Sequence, residues 1–452
     1  MRLAVLACLA LAALTLLGPH QPTYDPWAWL SWGREIAHGH LATNGGPSWK
    51  PLPVLFTVPL SLFGSAAPLL WLVVARAGLL LAFVAGFRLA SSVAGPAAGA
   101  ITVAGMALLD RFVGLSARGT SEGLLVALAL GAVDRHRAGR RGQALLLGFG
   151  AALVRPEAWP FLGLYALWLT WQRTDPGDRI RTLALMTLGG VVLLAAWFVP
   201  EELGSGSLLR GASRARDAVE GTPAQSAFPF LAVFSNSAGA AAIPLYAGGV
   251  FVVLKAVRAW RRGGDDDGDR DARDLVLGLA AASCGYMVIV AVLAQAGFTG
   301  NERYVLLPAS VVCILGAIGL VQGARELAGR FAPRWSTVVL VVAGLALCVS
   351  PALRLGRKLQ SIQRESDLYG NLAAVIDRAG GRSAITRCGP VYTDPFQTQI
   401  VLWHLDLSGS AVGIHPNTPG TVVAPLATAA GHDGRFALRV SQGGWVVRST
   451  CR

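Results

Sequence analysis

The chain has 452 residues, 53% of them hydrophobic and only 14% charged, with a formal net charge of +13. A soluble domain carries about 25% charged residues and shows its apolar ones in short periodic stripes. Here they run unbroken over Leu275 to Ala294, Val305 to Val321 and Ser336 to Leu353. Each run approaches the ~20 residues that cross ~30 Å of hydrocarbon, which excludes a soluble core. The basic residues fall in short loops rather than in a stripe interleaved with aromatics, so nucleic acid is excluded as a partner.

The first apolar run, Leu3 to Leu17, follows Arg2. A cleaved signal peptide is one reading, but no small-x-small cleavage site precedes Tyr24-Asp25, and a retained helix starting in the cytoplasm is expected. An outer loop over 18–68 follows. It opens on Tyr-Asp-Pro-Trp-Ala-Trp, in which Asp25, flanked by Trp27 and Trp29, is suited to act as general base for a hydroxyl nucleophile. The plain alternative is an Asp capping the helix that contains Trp29 to Ala37, with both tryptophans as interfacial anchors. Pro47-Ser-Trp-Lys-Pro-Leu-Pro53 then leads into Val54 to Phe63, too short and too proline-broken to span, and expected to lie in the interface. Lys50 there either meets a phosphate or snorkels to headgroups.

Further apolar runs fall at 69–90, 96–113, 120–134, 143–154, 157–171, 182–199, 229–256, 274–295, 304–321 and 335–353. With a cytoplasmic start, alternate loops should be basic. They carry Arg135, Arg137, Arg140 and Arg141, then Arg173, Arg179 and Arg181, then Lys255, Arg258, Arg261 and Arg262, and finally Arg325, Arg330 and Arg334. The acidic stretch Gly263 to Asp274, with Asp265, Asp266 and Asp267, lacks the twelfth-position Glu of a calcium loop and reads as a solvated linker.

An odd number of crossings places 354–452 outside the membrane as a small α/β domain. Glu365 to Ala379 reads as a helix, and Ala384 to Thr386, Thr421 to Ala424, Phe436 to Val440 and Trp445 to Val447 as strands. Its cysteines face an oxidising compartment in this topology, so a Cys388–Cys451 disulfide is expected. Cys8, Cys284, Cys313 and Cys348 lie in apolar runs and behave as small hydrophobes.

Ionisable residues beside membrane helices are costly and imply function. On this topology Asp25, Arg34, Glu35, Lys50, Asp110, Arg111, Arg118, Glu122, Arg155, Glu157, Glu302 and Arg303 gather at the outer face. Glu122 is a second carboxylate or a helix cap. Arg155-Pro-Glu157 and Asn301-Glu-Arg-Tyr304 either bind a phosphate-bearing lipid or hold helices together as intramembrane pairs.

In this order, the features resemble the GT-C superfamily of membrane glycosyltransferases, above all the polyprenyl-phosphate-sugar-dependent protein mannosyltransferases and lipid A aminoarabinose transferases. The matching residues are Asp25, Trp32-Gly-Arg-Glu-Ile-Ala-His-Gly39, Trp49-Lys-Pro-Leu52, Leu62-Phe-Gly64, Arg76, Glu122 with Leu124, and Arg303-Tyr304. The resemblance implies a fold of about eleven membrane helices over 1–353 with an extracytoplasmic domain, multi-pass in a bacterial plasma membrane. It implies Asp25 and Glu122 as catalytic carboxylates, and Lys50, Arg155, Glu157, Glu302, Arg303, Tyr304, Arg34 and Glu35 as substrate- or lipid-phosphate-binding residues. The implied donor is a polyprenyl-phosphate sugar and the acceptor a glycan, lipid or protein hydroxyl. A single Asp25 followed by Pro26, where many members carry two nearby acids, leaves a divalent metal open. The Ala-, Gly- and Arg-rich composition suggests a high-GC bacterium such as an actinobacterium, and with it a mannose or arabinose donor. A transporter or lipid flippase, or a non-catalytic scaffold, is the alternative from another class.

Overall fold

The structure is a computed structural model that describes residues 2–109, 111–217, 221–263, 267–328 and 333–451; Asp110, Asp265, Asp266 and Arg330 lie outside the described residues. It is a polytopic helical bundle with a small α/β domain at one end. Among the described residues, five stretches are long and apolar enough to cross a membrane: Pro51–Ala94, Pro176–Ser205, Ile243–Arg262, Gly268–Gln295 and Glu302–Leu327. Shorter apolar helices, including Arg2–Leu17, Pro96–Leu108 and Arg141–Val154, pack among them. The Pro176–Ser205 helix turns Leu183, Leu185, Leu188, Val191 and Val192 outward. Such a face is stable only against lipid.

Small residues let the central helices approach closely, the usual device where lipid removes a hydrophobic drive between helices. Ile243–Arg262 crosses Leu306–Ala328 so tightly that a Cβ on Gly319 would collide with the Gly248 carbonyl oxygen. Apolar run 229–256, expected as one crossing, is broken into Pro229–Ser237 and Ile243–Arg262. Pro244 stands at the start of the second helix, where a proline is tolerated.

The bundle has two chemically different ends. At one, Arg88 pairs with Asp134 at 3.0 Å, Lys255 with Glu326 at 2.6 Å, and Arg137 with Asp271. The Arg325 guanidinium donates to the Ala94 carbonyl there at 2.8 Å. These are the arginine-bearing loops. At the other end sits the α/β domain, with strands β1 (Val391–Tyr392), β2 (Val412–Gly413), β3 (Thr421–Pro425), β4 (Ala437–Gln442) and β5 (Trp445–Ser449). They form one sheet in the order β2-β1-β3-β5-β4. β1 is parallel to β2 and β3, whereas β5 is antiparallel to β3 and β4. Gly443 and Gly444 turn the β4–β5 hairpin with φ of 57° and 83°, the sign that matches strand twist. Ala384 to Thr386, expected as strand, is the end of a helix, Gly381–Thr386, whose preceding Gly380 takes a left-handed φ of 94°. Residue 353 falls inside a continuous helix, Pro333–Gly370, that carries the chain from bundle to domain. Cys388 and Cys451 form a disulfide.

The domain grips the bundle through the Tyr24–Ala37 helix. Trp27 packs on Trp403 and His404, both at 5.8 Å between ring centroids, and Arg118 pairs with Glu365 at 2.5 Å. Burial pushes the His404 imidazole down to about 4, so this contact is neutral at physiological pH. Trp27 and Trp29 are therefore core residues, at 2% and 0% exposure, rather than headgroup anchors.

Replacing Gly319 by Val should overpack the central crossing and lower stability by about 1–3 kcal/mol. Thermal unfolding in detergent measures this, with Gly278→Val, where a Cβ meets nothing within 4 Å, as the tolerated control.

Candidate active site

The site is assembled from chain segments at the domain-bearing end. Asp25 belongs to the first turn of Tyr24–Ala37, and Lys50 immediately precedes Pro51–Leu60. These two helices are locked face to face. The Thr57 hydroxyl donates to the Trp29 carbonyl at 2.7 Å, and a Cβ on Gly33 would stand 2.5 Å from the Thr57 backbone. Asp25 and Lys50 thus ride on one rigid unit. Glu122 opens Glu122–Arg137, whose Gly123 lets it approach the Leu79 backbone of the neighbouring helix. Arg155 and Glu157 occupy the break between Arg141–Val154 and Trp159–Trp171, and Arg303 lies in the short turn before Leu306–Ala328.

Their side chains converge. Arg303 binds the Asp25 carboxylate at 2.7 Å. Arg155 binds Glu122 at 2.9 Å and Glu157 at 3.4 Å, all three being buried. Tyr304 lies under both guanidiniums, 4.0 Å from Arg155 and 5.5 Å from Arg303. This is a cation–π arrangement, favoured in desolvated sites. Asp25 is inside its helix and holds an arginine, so it does not serve as the cap; Glu122 likewise engages Arg155.

Lys50 differs from the other cations. It is only 8% exposed, donates to the Ser121 hydroxyl at 3.1 Å and stands 5.2 Å from the Trp29 ring. No carboxylate lies within ion-pair distance of it among the described residues. Burial pulls its ammonium down to about 8, with Glu122 opposing and Arg155 and Arg303 assisting, as desolvation of a charged form requires. Arg155 Nε, Arg303 Nε and the Tyr286 hydroxyl are buried without hydrogen-bond partners among the described residues, and so are Glu122 Oε2, Glu157 Oε2 and Glu201 Oε2. A desolvated ammonium that lacks a carboxylate of its own is suited to receive an anion.

Asp25, Lys50, Arg155, Glu157, Glu201, Arg303 and Tyr304 line a cavity of about 430 Å³, walled on its apolar side by Trp159, Trp197, Phe198 and Leu293. A second, polar cavity of about 500 Å³ shares Asp25, Ser48, Arg303 and Tyr304 with it and extends towards the α/β domain. A third, apolar and about 530 Å³, reaches from Tyr286 towards His136 at the opposite end.

Not every expected residue joins the site. Arg34 points into the α/β domain, stacking on Trp403 at 4.6 Å and pairing with Asp406 at 3.2 Å. Glu35 folds over its own helix end and accepts from the Ala42 amide at 2.9 Å. Glu302 pairs with Arg111 at 2.9 Å on the rim of the polar cavity. Arg111 adopts a left-handed φ of 66°. That conformation costs a non-glycine residue about 1–2 kcal/mol. It accompanies function where the surroundings enforce it. Arg76 is structural, donating to the Thr15, Pro19 and Ala117 carbonyls at the ends of neighbouring segments.

Three residues escaped the sequence reading. Buried Glu201 accepts from the Trp49 amide at 3.2 Å, and Arg210 donates to the Pro47 and Gly45 carbonyls at 2.6 and 2.7 Å, fixing the loop before Lys50. Tyr286 is hidden within an apolar run. Pro200-Glu201-Glu202 ending another such run was a legible signal for the first. Among the described residues, no three His, Cys, Asp or Glu side chains group as a metal would require.

This bundle, with its ionic pocket under a small sheet domain, has the fold of a solved bacterial membrane protein, ArnT. The chain is similar over its whole length to ArnT from Cupriavidus metallidurans. The apo ArnT structure matches with a TM-score of 0.58 at 16% identity, covering 99% of this chain and 97% of that one. The structure of the same protein bound to undecaprenyl phosphate matches with a TM-score of 0.58 at 15% identity, over the same shares. At this identity the likeness establishes the fold. No protein-family model and no curated protein matches the sequence.

Arg155→Ala should strand Glu122 and Glu157 in a dry site and cost about 3–5 kcal/mol of stability, as breaking a buried pair does. Thermal unfolding would show the loss, and adding Glu122→Gln to the same background should recover part of it.

Proposed function

We propose that the chain is a membrane glycosyltransferase that moves a sugar from a polyprenyl-phosphate carrier to an acceptor hydroxyl. The observation that carries this is Lys50, a buried ammonium with no carboxylate partner among the described residues, facing the same cavity as Arg155, Arg303 and Asp25. The neighbours' fold agrees, and one ArnT structure holds undecaprenyl phosphate.

The acceptor oxygen attacks the sugar's anomeric carbon as the bond from that carbon to the phosphate oxygen breaks. The departing lipid phosphate gains negative charge, so Lys50 and Arg303 bind it more strongly in the transition state than in the ground state. Asp25 takes the hydroxyl proton. In the free protein Arg303 occupies that carboxylate, and an incoming phosphate competes for the guanidinium and releases the base. The third cavity and the Trp197–Phe198 wall suit the isoprenoid chain. Exposed Leu55, Phe56, Leu62 and Phe63 suit a 51–66 segment that lies in the membrane interface.

The arginine-bearing loops at the opposite end favour a cytoplasmic start, with the reaction at the extracytoplasmic face of a bacterial plasma membrane. Mannose or arabinose is the proposed sugar and a cell-envelope molecule the proposed acceptor.

Reconstituted protein should transfer radiolabelled mannose or arabinose from its polyprenyl phosphate, and Asp25→Asn should lower kcat by about 10²–10⁴-fold. Transfer that survives intact in the variant overturns the base assignment; movement of intact lipid without sugar transfer would favour a flippase.

The pH profile supplies a separate check. Lys50 titrates near 8 in the free protein, so the phosphate loses its partner as the pH rises through that value. The kcat/KM for donor should fall on the alkaline side of about pH 8, and Lys50→Arg should push this limb beyond the measurable range. An identical limb in the variant would assign it to another group.

A further inference from the structure

The third cavity reaches the arginine-bearing end of the bundle, where His136 on its lining is exposed. Leu125 and His136 mark its extent along the Glu122–Arg137 helix, about 16 Å at 1.5 Å per residue. That depth matches the hydrocarbon of one leaflet, half of ~30 Å. Small side chains make the space: Ala129, Ala132, Gly148 and Ala282 face it from three helices. Tyr286, stacked on Phe161 with ring centroids 6.2 Å apart, forms its floor. Leu146 and Leu164 on the flanking helices are exposed, as a surface against lipid requires.

The mouth is polar and aromatic. Tyr165 and Trp168 stack with centroids 5.6 Å apart, and His136 stands edge-on to them at 5.5 and 5.3 Å. His136 Nδ1 shares a hydrogen bond of 3.0 Å with the Tyr165 hydroxyl. The Arg141 guanidinium lies 5.1 Å from the Trp168 ring centroid. Tyrosine and tryptophan are enriched where a membrane meets water. The charges at this mouth do not cancel. Asp271 is the carboxylate that faces His136, and Arg137 already holds it. Asp134 is shared by Arg88 and Arg135. Arg140 and Arg141 have no carboxylate within ion-pair distance among the described residues. An apolar shaft one leaflet deep beneath an unbalanced guanidinium fits an amphiphile with an anionic head. A partner's transmembrane helix would need a groove through both leaflets, and a zwitterionic lipid would bring its own cation against Arg141.

We infer that this cavity binds an anionic phospholipid of the leaflet at the arginine-bearing end, with an acyl chain in the shaft and the headgroup phosphate on Arg141. Basic pockets between membrane helices hold anionic headgroups in this way, and a guanidinium can meet a phosphate with two parallel hydrogen bonds. The isoprenoid chain proposed for the same cavity would enter from the Tyr286 end, so the two lipids would occupy it in turn. Phospholipid binding needs neither donor nor sugar transfer, and it stands or falls apart from the glycosyltransferase reading.

The test is native mass spectrometry of the full chain in detergent, titrated with phosphatidylglycerol and phosphatidylcholine of identical acyl chains and, separately, with polyprenyl phosphate. Phosphatidylglycerol should bind about fivefold more tightly than phosphatidylcholine, the scale of one arginine against an anionic headgroup. Arg141→Ala should remove most of that preference, and Arg141→Lys should keep part of it. Ala282→Phe fills the shaft and leaves the mouth alone, so it should weaken phosphatidylglycerol binding as well. Equal affinity for the two phospholipids, or a preference untouched by Arg141→Ala, overturns the inference. Phosphatidylglycerol binding unchanged by Ala282→Phe would reduce the site to a surface headgroup contact and overturn the cavity's part in it. Arg141-dependent binding of polyprenyl phosphate in preference to phosphatidylglycerol would give the cavity to the carrier lipid instead. Arg141 and Ala282 are both exposed, and thermal unfolding of each variant checks that the fold is kept.

Discussion

The structure is organised around Arg155. A guanidinium removed from water beside a membrane is tolerable only when its charge is met closely, and Glu122 and Glu157 meet it from two different helix ends. This pairing pins two segments to one point, and Tyr304 from a third lies between Arg155 and Arg303. The same low dielectric that makes the ion pairs obligatory would, on the proposed function, strengthen the attraction between Lys50 and a lipid phosphate. Charges already oriented would then need little reorganisation in the proposed reaction.

Much of this was legible in the sequence, for reasons that can be named. Hydrophobic runs reveal membrane helices because lipid permits few other solutions for the backbone. Loop charges sort the helix ends, and so Asp25, Lys50, Glu122, Arg155 and Arg303 could be gathered at one face before any coordinates. What the sequence withheld was partner choice. Arg34 and Glu35 sit beside the site in sequence, yet a helix spreads successive side chains around its axis, so these two face the α/β domain and the helix's own end. Tyr286 was invisible because one hydroxyl hardly perturbs an apolar run.

The small domain was read less well than the bundle. Its core depends on two-residue strands, β1 and β2, that carry no alternation to detect. Helix Gly381–Thr386 is too short for periodicity, and its backbone is set by the glycine before it rather than by propensity. The bundle is governed by solvent, which composition records faithfully. The domain is governed by pairing between residues far apart, which composition does not record.

Lys50 sits at the head of a helix whose other face carries exposed Leu55 and Phe56. Because that helix is locked to Tyr24–Ala37 through Thr57 and Gly33, the bundle rather than the acyl chains fixes how far the ammonium stands from the arginines. One short helix thus meets lipid on one side and carries the cation of the pocket at its head, joining the apolar surroundings to the ionic interior in a single stiff piece.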